Sequence, residues 1–169
     1  NIDLLHDRII QMVSDLGTRC EEPELFRLPV DRVFTTEGFG TVITGTLQEG
    51  MVQAGAEVMV YPRERPIKIR GIQSHGRKED AAIAGQRTAL NLLNVKKEDL
   101  KRGDVLAYPG SLVPSALVDV KLSIFQTSDR ELKSGDRIHL NYGSAQTIAK
   151  AVLMDQDRIA RGESAYAQL

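Results

Sequence analysis

The chain has little with which to staple itself together. A single cysteine, Cys20, among 169 residues excludes an internal disulfide framework and a cysteine-based zinc site. Tryptophan is absent, and only 5% of residues are aromatic. No apolar run approaches the roughly 18–20 residues that a membrane helix needs, and no charged-then-apolar leader is read at the start. A reducing cytoplasm is the simplest home for such a chain. An excess of one charge is also missing. The 22 Lys and Arg face 23 Asp and Glu, for a formal net charge of −1. There is no global field to attract nucleic acid, so any such contact must come from a local patch. With 41% hydrophobic and 27% charged residues, the chain is an ordinary globular one, large enough for one domain or two small ones.

Catalytic motifs are lacking too. There is no G-x-x-x-x-G-K-[ST] loop to cradle phosphates. Gly38, Gly40 and Gly45 in "GFGTVITG" have the wrong spacing for a dinucleotide fingerprint. Their context is strand–turn–strand, which favours a hairpin. His6, His75 and His139 are far apart and fit no metal-ligand spacing. No nucleophile elbow occurs, and Cys20 has no expected base. These absences predict a binding module and not an enzyme, with no metal site.

What is present begins with an amphipathic helix. Ile2, Leu5, Ile9, Val13 and Leu16 recur at helical spacing, and Gly17 stands where a C-cap belongs. Such a lone helix must pack on something else or be the end of another domain. A polar linker follows from Thr18 to Glu24. After it the period becomes two. Phe26, Leu28 and Val30 alternate with polar neighbours, and Pro29 marks this strand as an edge or irregular one. Thr35 to Gly40 reads as a turn, Thr41 to Leu47 as a strand, and Gly50 as another turn. Further short strands are expected at 56–62, 66–74 and 86–95. A single helical turn and a closing strand are expected within 96–110. Short strands at this spacing predict an all-β barrel or sandwich. A second β unit starts near Leu112, with strands expected at 116–125, 136–143 and 145–154. That leaves roughly 55 residues and three or four strands, few for an independently closed barrel.

One charge cluster stands out. Arg63, Arg65, Lys68, Arg70, Arg77 and Lys78 face only Glu64 within residues 63–78. These cations are candidates for RNA phosphate contacts. They fit equally the solvated face of a sheet, since Lys68 and Arg70 alternate with Ile67, Ile69 and Ile72. Aromatic interleaving for base stacking is missing from this segment.

"FRLPVDRVFTTEGFGTVITGTLQEG" (Phe26 to Gly50), "AGQRTALNL" (Ala84 to Leu92) and "EDLKRGDVLAYPGS" (Glu98 to Ser111) resemble the second domain of translational GTPases. Within that superfamily, "VDRVFTTEGFGTVITGT" and "GQRTALNL" are most similar to the selenocysteine-specific elongation factors, related to elongation factor Tu. The resemblance implies that residues 1–17 are the terminal helix of a GTPase domain. It also implies a translation-factor β-barrel over 24–109 and part of a third-domain β-barrel over 112–169. The implied role is delivery of selenocysteyl-tRNA to the ribosome with GTP and Mg bound by the parent protein, and none in this segment. Further domains of such a parent would grip a messenger RNA hairpin.

The resemblance also implies that Asp31, Arg32 and Arg87 recognise the selenocysteyl end. On the residues alone, Asp31 and Arg32 fit an ordinary strand-edge ion pair, and Arg87 a solvated strand residue. Adjacent strand residues point to opposite faces, so Asp31 and Arg32 share a pocket only at a bulge, bend or strand end. Two alternatives remain open at this stage: another Tu-like translational GTPase, or a protein-docking β-barrel with no RNA role.

Overall fold

The computed structural model describes residues 2–14 and 25–169. Gly17, Cys20 and the linker expected over Thr18 to Glu24 lie outside these residues. The helical periodicity forms α1 (Ile2–Ser14), with Asp3 in its first turn, but no residue of α1 is buried. Its stripe of Ile2, Leu5, Ile9 and Val13 stays exposed.

Ten strands form the main sheet. They are β1 (Phe26–Pro29), β2 (Arg32–Thr36), β3 (Gly40–Thr46), β4 (Glu49–Gln53), β5 (Glu57–Tyr61), β6 (Arg65–Ser74), β7 (Arg77–Glu79), β8 (Ala81–Ile83), β9 (Arg87–Leu93) and β10 (Val105–Ala107). The order is β2-β3-β9-β6-β5-β10-β1-β4-β8, with β7 beside β6. The pairings are antiparallel, and the sheet coils into a barrel-like body. Inward residues of nearly every strand meet in one core that includes Phe26, Leu28, Ile43, Leu47, Ile69, Leu90 and Leu106. The β-branched and leucine positions two apart in sequence bury one face of each strand. A short 3-10 turn at Lys97–Asp99 precedes β10.

The second unit contains β11 (Asp119–Ser123), β12 (Leu132–Lys133), β13 (Arg137–Tyr142), β14 (Ala145–Lys150), β15 (Val152–Leu153), β16 (Arg158–Ile159) and β17 (Ser164–Gln168). They pair as β11-β17-β15, β12-β16 and β13-β14. A small cluster of Leu153, Ile159, Ala165 and Ala167 joins β15, β16 and β17, with Val120, Leu122 and Leu132 of β11 and β12 packed against it. Val113, Phe125, Ile148 and Tyr166 remain exposed.

Several expectations are corrected here. β1 is interior, paired with β10 on one side and β4 on the other. Pro29 is tolerated because Val30 N–H donates to Asp104 O, which makes Pro29 the non-hydrogen-bonded position toward β10. Its missing donor faces the other side, where pairing with β4 has already ended at Arg27. Gly50 is not a turn but a buried position of β4. The strand expected over 145–154 is two strands, interrupted at the buried Ala151. The unit after Leu112 has seven short strands rather than three or four.

Candidate functional site

The first hairpin carries the site. Gly38 and Gly40 have φ of 77° and 82°, which suits glycine in the tight turn between β2 and β3. Arg32 pairs with Thr44, and Thr44 pairs with Ala89 of β9. These three residues form one row across the sheet, and Arg87 lies two residues from Ala89. Arg32 and Arg87 therefore emerge from the same, outer face. The inner face of the same strands carries Ile43, Thr88 and Leu90, all buried. Two strand spacings across and two residues along separate the arginine Cα atoms by roughly 12 Å, within reach of two long side chains.

Asp31 joins this outer face by an irregularity. Its N–H donates to Thr44 O at 2.7 Å, while Arg32 is the residue in register with Thr44. Two consecutive residues thus meet one partner, the count that marks a bulge. The Asp31 carboxylate then accepts from Arg87 Nη1 at 2.9 Å. That hydrogen bond is the main cause holding the Asp31 carboxyl below its ordinary value. The charges of Arg87, Arg102 and Arg32 add to it, and slight burial opposes them.

An open groove of about 770 Å³ runs beside this cluster, lined by Asp31, Arg32, Phe34, Lys97, Lys101 and Arg102, among others. Arg87 does not line the groove and reaches it through Asp31. Arg102 was not foreseen. It is far from Asp31 in sequence, and only the folding of the loop before β10 brings them together. Its sole local signal is its place ahead of the Gly103-Asp104 turn.

The basic segment does not form a continuous strip. Arg63 is ion-paired with the fully buried Asp104. Arg65 pairs with Asp99 at 2.8 Å, and this bond is the main cause lowering the Asp99 carboxyl. Lys68 and Arg70 lie on the exposed face of β6, and Arg77 and Lys78 are exposed on β7. Arg70 also borders a second open hollow of about 590 Å³ with Phe39 and Lys96. Among the described residues, no three His, Cys, Asp or Glu side chains cluster to hold a metal ion. No helix among them is long and apolar enough to cross a membrane.

The class of the barrel follows from its fold and sequence together. Residues 40–107 match the family elongation factor Tu domain 2. The chain is 42% identical over 146 residues to the selenocysteine-specific elongation factor of Desulfomicrobium baculatum, covering 86% of this chain and 23% of that protein. It is 28% identical over 158 residues to the selenocysteine-specific elongation factor of Haemophilus influenzae, covering 93% of this chain and 25% of that one. The barrel is thus a translation elongation factor domain of the Tu type. The chain belongs to the selenocysteine-specific elongation factor family, and it spans about a quarter of the length of the curated relatives it matches.

Proposed function

We propose that the chain forms the part of a selenocysteine-specific elongation factor that holds the aminoacyl end of selenocysteyl-tRNA. The longer protein would deliver that tRNA to the ribosome, using GTP and Mg bound in its GTPase domain and a messenger RNA hairpin gripped by further domains. In this reading, residues 24–109 are the second domain, residues 112–169 belong to the third, and α1 belongs to the GTPase domain.

The observation that carries the reading is the outer-face placement of Arg32 and Arg87 about one Asp31 carboxylate. A selenol is more acidic than a thiol, so at neutral pH the selenocysteyl group is largely an anion. A guanidinium stays protonated and offers five donors in a planar fork. Asp31 takes one Arg87 donor and fixes the orientation of the fork. The remaining donors, with those of Arg32, are free for a second anion. Serine, the amino acid from which the charged tRNA is made, would leave these cations without an anionic partner. Rejection then comes partly from an unmet charge.

Charged hydrogen bonds of about 1.5–3 kcal/mol each give two arginines a discrimination on the order of 10²–10⁴. In the full-length protein, the double change Arg32→Ala and Arg87→Ala is expected to erase the preference for selenocysteyl-tRNA over seryl-tRNA in equilibrium binding. A preference that survives the double change would exclude these residues as the recognition site.

A further inference from the structure

The groove beside Asp31 and Arg32 is braced by the second unit. The β13–β14 hairpin closes Tyr142 against Ala145, leaving Gly143 and Ser144 as a two-residue tip. Ser144 Oγ donates to Val30 O at 2.6 Å, and Arg102 Nε donates to Ser144 O at 3.1 Å. Val30 immediately precedes Asp31, and Arg102 lines the groove. One tip residue therefore grips both the strand end and the loop that frame the cluster. Val30 O also accepts from Gly103 N–H at 3.0 Å, so two donors meet on a single carbonyl.

The packing around these bonds is close. Gly103 has φ of 94°, and a Cβ built there would lie 2.8 Å from Ala145 Cβ. Gly143 has φ of 54° and rests on the Pro29 ring, 3.4 Å from where its own Cβ would stand. Glycine on each side of the contact lets the tip sit flush on the barrel.

We propose that Ser144 is a positioning residue for the Asp31/Arg32 groove, coupling the second β unit to the aminoacyl site. Its mechanical part stands on the bonds above, and its functional part rests on the proposed function. Without the hydroxyl, the Val30 carbonyl loses one donor, and the hairpin tip whose Ser144 backbone carbonyl holds Arg102 is less firmly seated on the barrel. The groups facing Asp31 are Arg87, Arg102 and Arg32, so a displaced Arg102 weakens the positive field on its carboxylate.

The test compares Ser144→Ala and Ser144→Thr with the parent chain by carboxyl ¹³C NMR titration. Asp99, held low by Arg65 and by the Lys96 backbone, serves as the internal reference. Ser144→Ala is expected to raise the Asp31 midpoint toward its ordinary value and leave Asp99 in place. Ser144→Thr, which keeps the hydroxyl, is expected to leave both unchanged. An unmoved Asp31 in Ser144→Ala would overturn the proposal, as would equal movement of Asp31 and Asp99. In the full-length protein, Ser144→Ala is expected to cut the selenocysteyl-over-seryl preference roughly 2- to 10-fold, the size of one net hydrogen bond. A shifted Asp31 with an intact preference would uphold the positioning role and reject the aminoacyl reading of the groove.

Discussion

At the scale of single residues, Asp31 sets the charge balance of the site. Its carboxyl is held below the ordinary carboxylate value chiefly by the hydrogen bond from Arg87. A carboxyl depressed in the folded state contributes stability above its unfolded value of about 3.9, and that contribution fades as pH falls through the folded value. Asp31→Asn is therefore expected to destabilise the chain at pH 7. The difference from the parent should begin to shrink below about pH 4 and vanish only once chemical denaturation is carried out below the folded value of the carboxyl. Both partners are substantially exposed, so the effect is a modest one. Asp31, Arg32 and Arg87 were singled out by the family resemblance of the two motifs that hold them, not by their spacing, and the fold brings them onto one face. The bulge that unites Asp31 with Arg32 was foreseeable only as a condition, since a one-residue irregularity leaves no periodic trace. Arg102 showed only its place ahead of the Gly103-Asp104 turn, with nothing to tie it to Asp31. Its proximity to Asp31 comes from long-range packing, which local pattern does not encode.

At the scale of elements, β1 and β3 cross closely inside the barrel. A Cβ at Gly45 would lie 2.2 Å from Pro29 O and 2.7 Å from Leu28 Cδ2. Backbone cannot yield as a flexible side chain does, so Gly45→Ala is expected to cost about 1–3 kcal/mol in urea unfolding. Gly71, in the irregular stretch of β6, has nothing within 4 Å of a built Cβ, and Gly71→Ala is expected to fall within about 0.5 kcal/mol of the parent. The alternating strands at 41–47, 66–74 and 86–95 were readable because one face of each is buried in the core and the other is not. Where that rule weakens, reading failed. Pro29 suggested an edge because the sequence does not reveal where the ladder to a neighbouring strand stops. Gly50 suggested a turn because a glycine buried in a strand looks the same as one in a loop. Strands of two or three residues, such as β12 and β16, are too short to show any period.

At the scale of the whole molecule, near-neutral net charge coexists with local cationic ground. Arg63 and Arg65 are held by carboxylates, whereas Lys68, Arg70, Arg77 and Lys78 are exposed on β6 and β7. If the exposed four touch tRNA phosphates, their combined replacement by alanine should flatten the dependence of log affinity on log salt. The expected loss of slope is about 0.7–0.9 per lost contact. Arg65→Ala should leave that slope unchanged, and binding measured over a series of salt concentrations in the full-length protein checks both outcomes. The position of β10 between β1 and β5 has a consequence for biosynthesis. One side of the opening strand can pair early with β4, but its other side waits for a partner some eighty residues downstream, so loop-closure entropy must be met before that pairing rewards it. As the polypeptide leaves the ribosome, hairpins such as β2–β3 can zip early, but the sheet cannot be sealed until Val105–Ala107 emerges. A translation pause just before that point would leave two strand edges open to the wrong neighbours.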